Sequence, residues 1–74
     1  MNDAKKCRGK GWVPGDILEG DEGYGPTQIL LTAIGKQSIL AIEVSHNGKS
    51  VSGAMEDTWS LDYRDWRKVG HQEL

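Results

Sequence analysis

Residues 27–44 read TQILLTAIGKQSILAIEV, the densest aliphatic stretch of the 74-residue chain, with more than half of its Ile, Leu and Val residues. The stretch is expected to form a β-hairpin. Ile34-Gly35-Lys36-Gln37 offers a two-residue loop with glycine first, the requirement of a type II′ turn. Under that turn Ile34 faces Gln37, Leu31 pairs with Leu40, Ile29 with Ile42 and Thr27 with Val44. Leu30/Ala41 and Thr32/Ile39 then share the other side. A three-residue loop would place Thr32 opposite Leu40 on the inner face and bury its hydroxyl, which favours the shorter turn. Leu30, Ile34 and Ile39 still need cover on the second face, from a small, strongly bent barrel or from a second subunit.

Length allows one domain, and a core of this size typically yields only ~3–5 kcal/mol. The single Cys7 forms no internal disulfide, which suits a reducing cytoplasm better than a secreted scaffold. No apolar run approaches the length of a membrane span, and Met1-Asn2-Asp3 is not the start of a signal peptide. A cytoplasmic domain with no membrane partner is the expectation.

Charge is distributed unevenly around the net value of −2. Residues 1–11, with Lys5, Lys6, Arg8 and Lys10 against Asp3, carry +3, and the remainder carries −5. An acidic body disfavours general affinity for a nucleic-acid backbone, while a basic arm can still touch phosphate. The plainer reading of the arm is a disordered, solubilising leader.

The arm ends at Gly9-Lys10-Gly11, and Pro14-Gly15 then reverses the chain before a short strand over residues 16–19, with Ile17 inward. Trp12 is expected to pack across the barrel end. Residues 20–26, GDEGYGP, are the most distinctive local feature, three glycines surrounding Asp21, Glu22 and Tyr24. They read either as a solvated connection or as a recognition loop anchored by Tyr24. After the hairpin, Asn47-Gly48 marks a second tight reversal between Val44 and Val51. Residues 58–69, TWSLDYRDWRKV, alternate as a strand with Trp59 and Leu61 inward. Asp62 then caps a single helical turn over residues 63–66, and residues 67–69 return as a closing strand, with Trp66 closing the bottom of the core. Residues 70–74 are expected to fray.

Several chemistries are weighed and set aside. The carboxylates Asp16, Glu19, Asp21 and Glu22 lack the ligand alternation of a calcium loop, and one Cys with two scattered His has no zinc spacing. Gly48-Lys49-Ser50 ends like a phosphate loop, but Glu43 stands where its first glycine is needed. Gly23-Tyr24-Gly25 lacks the third glycine of a dinucleotide loop. His46 in a turn and His71 in the tail give a nucleophile no placed base. No enzyme activity, cofactor or metal is expected.

The Pro-Gly-Asp lead-in at residues 14–16, the long glycine-rich first loop, the central hairpin and the WSLDYRDW ending together resemble an SH3-like barrel. That resemblance implies an all-β, five-stranded barrel over residues 12–69, with one short 3-10 turn before the last strand, a flexible arm at 1–11 and a frayed tail at 70–74. In size and in its Trp-x-Leu…Arg-Asp-Trp-Arg ending the chain also resembles small uncharacterised proteins of bacteriophages and prophages, which implies a viral setting and transfers no catalytic residue. A weaker likeness, through Val13, Gly15 and Asp16 with Gly20, Gly23 and Gly25, is to the KOW motif of ribosome- and polymerase-associated barrels. The acids in that loop oppose it, because RNA contacts there call for basic residues.

The leading expectation is a non-catalytic module that binds a protein partner through an acidic, aromatic-lined surface of Asp21, Glu22, Tyr24, Tyr63 and Trp66. In an SH3-like arrangement the first loop and the last helical turn lie near each other, and such a patch suits a basic or proline-rich segment. One rival is nucleic-acid binding through Lys5, Lys6, Arg8 and Lys10. Another is self-association through the second hairpin face or an open edge, with the chain a monomer or weak homodimer.

Overall fold

The computed structural model describes residues 2–21, 23, 25–62 and 65–74. One short helix, α1 (Asp3–Lys10), precedes six strands: β1 (Asp16–Asp21), β2 (Pro26–Ile34), β3 (Ile39–His46), β4 (Lys49–Ser50), β5 (Asp57–Trp59) and β6 (Arg67–His71). The sheet runs β4-β3-β2-β1-β6, antiparallel throughout, with β5 paired to β3 beside β4. It curls into a half-barrel that stays open, because no ladder joins β5 to β6 among the described residues. The expected closed five-stranded barrel is therefore corrected to a mostly β, open one.

The β2–β3 hairpin forms, but its register differs from the expected one. Four residues rather than two make the loop, from Gly35 to Ser38, with the Gly35 N–H donating to the Ser38 carbonyl at 2.8 Å. Ile34 pairs with Ile39, Leu31 with Ala41 and Ile29 with Glu43, and the register shifts twice, once at Thr32 and once at Val44. The bulges reconcile the longer loop with burial. They put Ile39 and Ala41, rather than Leu40 and Ile42, on the core side with Ile29 and Leu31. The Thr32 hydroxyl, which the shorter turn would have kept off the inner face, is buried without a hydrogen-bond partner among the described residues.

On β1 the inward residue is Leu18, not Ile17, because a register shift against β6 falls between the two. Trp12, Trp66 and Leu61 join Leu18 in the core as expected, and Trp59 packs against it, edge-on to Trp66 with centroids 6.3 Å apart. The second reversal is also as expected. Asn47 and Gly48 both take positive φ, 53° and 80°, between β3 and β4, the pattern of a type I′ turn. The tight turn expected at 63–66 falls in part on residues outside those described.

Residues 1–11 are not a flexible arm where they are described. The Asn2 side chain caps α1 by accepting the Lys5 N–H at 2.8 Å, and Gly11 ends it in the left-handed conformation. Eight residues make a marginal helix in water, so tertiary contacts must hold it. Ala4 and Cys7 are buried on its inner face. The Asp3 carboxylate accepts the Leu61 N–H at 2.9 Å, and Lys6 Nζ donates to the Leu61 carbonyl at 3.0 Å. Arg8 donates to the Gly35 carbonyl, and the Ala4 N–H to Gln37 at 3.2 Å. The helix thus satisfies both main-chain groups of a buried core residue and ties down the hairpin tip. Residues 70 and 71 belong to β6, and the Gln72 N–H donates to the Gly15 carbonyl at 2.7 Å, so the expected fraying does not begin at Gly70.

Candidate functional site

Of the five residues expected to form an acidic, aromatic patch, the structure places two. Asp21 is exposed at the end of β1, where its carboxylate accepts the Gly23 N–H at 2.6 Å and shapes the loop. Trp66 is only 4% exposed and belongs to the core, so it is no surface anchor. Glu22, Tyr24 and Tyr63 lie outside the described residues. The basic residues of the rival reading are mostly engaged within the fold. Lys6 and Arg8 hold the contacts above, Lys10 lies over the Trp12 ring at 5.7 Å, and Lys5 is exposed.

The densest polar arrangement was not foreseen. Asp16 is fully buried at the start of β1. Its Oδ2 accepts the Val13 N–H at 3.0 Å, and its Oδ1 accepts from His71 Nδ1 at 2.7 Å and faces Lys68 Nζ at 3.2 Å. Burial pushes this carboxyl up, but hydrogen bonds from His71, the Val13 amide and Lys68 outweigh it and hold the group below the ordinary aspartate value. Further along β1, Glu19 lies opposite Arg67 on β6 and Gln28 on β2, and takes hydrogen bonds from both at 2.8 and 3.1 Å. Those donors hold its carboxyl low as well. Two carboxylates of β1 therefore fasten three cationic or ionisable side chains of β6. An Asp–His pair can orient an imidazole for chemistry, yet no hydroxyl or thiol hydrogen-bonds to the His71 ring among the described residues. The arrangement reads as a strand fastening. No cue in the sequence connects positions 16 and 71, which only the β1–β6 ladder brings opposite each other.

His46 shares a hydrogen bond with Thr27 Oγ1 at 2.9 Å beside the second reversal. No three His, Cys, Asp or Glu side chains converge as a metal group, and no helix is long and apolar enough to cross a membrane, both among the described residues. A family model for a domain of unknown function, DUF7241, matches residues 1–71. The chain belongs to that family. No curated protein and no solved structure matches it. The DUF7241 match takes in α1 together with the sheet, in keeping with a helix that is built into the fold.

Cys7 of this DUF7241 chain is buried, and its thiol is pushed up to about 11, by burial first and the nearby Asp3 charge second, against the opposing pull of Lys6 and Arg8. Native protein at pH 8 is expected to react with a disulfide reagent only as fast as it unfolds, whereas denatured protein reacts at once. Because the folded value is raised, the thiol's contribution to stability is complete below its unfolded value of about 8.5 and is lost as pH climbs toward about 11. Cys7→Ala should remove that part of the alkaline slope in urea titrations at pH 8 to 11. Rapid labelling of the native thiol would show that α1 does not cover it.

Proposed function

We propose that this DUF7241 domain is a non-catalytic protein-interaction module built on a small SH3-like barrel, which takes its partner through acidic surface. The observation that carries this reading is how its carboxylates are used. Asp3, Asp16 and Glu19 are bound within the fold, while the exposed Asp21, Glu56, Asp57, Asp62 and Asp65 have no cation within ion-pair distance among the described residues. Unneutralised surface carboxylates attract a basic partner and repel nucleic acid. The SH3-like reading is supported by the strand path β6-β1-β2-β3-β5, although the first loop expected over residues 20–26 is shortened to residues 22–25 because Gly20 and Asp21 pair with Thr27 and Pro26. A free, buried thiol fits a reducing cytoplasm, and the resemblance to small phage and prophage proteins makes a host protein the partner to look for. The first surface we assign is that of Asp21, Glu22, Tyr24 and Tyr63.

Nucleic-acid binding through the basic residues of α1 has less behind it, since Lys6 and Arg8 already serve the helix dock. Deleting residues 1–10 would not separate the two readings, because it would also remove Asp3 and Lys6, the partners of the Leu61 main chain. The test is capture from a bacterial lysate, with and without nuclease and at two salt concentrations, using the wild-type chain and a variant carrying Asp21→Lys and Glu22→Lys. A protein retained after nuclease and lost on charge reversal supports the module. Recovery of nucleic acid alone, lost as salt rises and on Lys5→Ala with Lys10→Ala, would overturn it.

A further inference from the structure

A second acidic surface lies on the outer side of β3, away from the β1–β2 loop. There β4 pairs with Ser45 and His46, and β5 with residues 39–41, so Ile42 and Glu43 lie between the two short ladders. The connection from β4 to β5, residues 51–56, passes beside this interval and presents Met55 at 83% exposure, the most exposed large apolar side chain among the described residues. Met55, Ala54 and the half-buried Trp59 line a groove of about 370 Å³ with Glu43 and Asp57. Glu56 stands between Met55 and Asp57 in the chain. None of the three carboxylates makes an ion pair among the described residues.

The combination is informative because each part alone would be ordinary. An exposed methionine adapts its shape to an apolar side chain at little cost, and a tryptophan fixed against the core gives that side chain a firm wall. Glu43 and Asp57 on the groove, with Glu56 next to them in the chain, raise the local concentration of cations and disfavour an acidic or neutral occupant. We infer that this groove is a docking site for a basic segment of another protein, one in which an aliphatic side chain seats against Met55 and Trp59 while flanking Lys or Arg residues meet Glu43 and Asp57. The inference rests on the reading of the domain as an interaction module and gives it a contact point separate from the Asp21 loop.

The test follows the Met55 methyl and Trp59 indole signals of the full chain by NMR, titrated with the peptide acetyl-Lys-Leu-Arg-Leu-Lys-amide and with an analogue whose basic residues are Glu. The basic peptide should shift both signals saturably and less so as salt rises, and the acidic analogue should leave them in place. Glu43→Lys with Asp57→Lys should weaken binding about tenfold or more. Met55→Ala changes a side chain too exposed to matter for folding and should weaken it independently. Signals that stay fixed, or respond equally to both peptides, overturn the groove. Shifts confined to Asp21 and its neighbours also overturn it while leaving the module reading intact. Groove binding alongside a lysate that yields only nucleic acid would sink the module reading instead. Signals that move with protein concentration alone would make a second copy the occupant and overturn the assignment of a foreign segment.

Discussion

Asp16→Ala is expected to strip the domain of most of its stability at 25 °C. The carboxylate is completely buried and accepts from the Val13 amide, His71 and Lys68 at once. Its removal strands the Val13 N–H, an unsatisfied buried donor costing about 1–3 kcal/mol, and opens a small cavity. Breaking a buried ion pair typically costs about 3–5 kcal/mol. The side chains of Lys68 and His71 are 47% and 39% exposed, so water can take them back, and the lower end of that range applies. Even ~3 kcal/mol is most of what a core this small supplies. Asp16→Asn keeps the volume and an acceptor for Val13 and should lose less. The pH dependence carries the same signature. Because the folded carboxyl lies below its ordinary value, its contribution is complete above about pH 4 and is lost as pH falls further through the folded value. Urea titrations from pH 7 to pH 2 should show this acid loss in the wild-type chain and a shallower one in Asp16→Asn. A loss under about 1 kcal/mol for Asp16→Ala would mean that β6 is held by something else.

Gly15→Ala is the second large effect, and it arises one residue away from a different cause. Gly15 has φ of +102°, a conformation that L side chains rarely adopt, and a Cβ there would stand 2.6 Å from the Gln72 carbonyl oxygen and 2.7 Å from His71 Cε1. The carbonyl is main chain and cannot swing aside as a long side chain would. Relief requires the end of β6 to move, which gives up the bond from the Gln72 N–H to the Gly15 carbonyl and disturbs His71 on Asp16. Backbone strain and clash together are expected to cost about 2–4 kcal/mol and lower the melting temperature by about 10–20 °C. Hydrogen exchange separates local from global damage. Amides of β6 should lose protection first, while those paired between β2 and β3 keep theirs relative to the variant's own stability. Unchanged protection in β6 would place the strain elsewhere.

The parts of the fold legible in the sequence were those set by neighbours in the chain. Asn47-Gly48 specified its own turn, because both residues tolerate positive φ. The aliphatic run of residues 27–44 specified a hairpin, but not its parity. Loop length and two bulges decide whether Leu40 or Ile39 faces inward, and bulges respond to the whole sheet rather than to the residues that carry them. Helix α1 is hidden in the sequence because its charges resemble a solvated leader and its apolar pair, Ala4 and Cys7, is too small to stand out as a face. Its caps, Asn2 and Gly11, were the available signal. At the candidate site, Asp21 kept its exposed place, while Trp66 went to the core and left the acids as the surviving part of that reading.

The sequence by itself determined a mostly β fold with a central hairpin, an acidic body and a tryptophan-bearing final segment, since composition, turn chemistry and short-range alternation act over a few residues. Only the tertiary structure decided that the barrel stays open, that the basic first residues form a docked helix and that Asp16 lies buried among Val13, Lys68 and His71. The last two of those outcomes depend on groups more than fifty positions apart meeting in space, as Asp3 meets Leu61 and Asp16 meets His71. A buried charge or a marginal helix is tolerated only where such distant partners arrive together, and no local pattern can announce them.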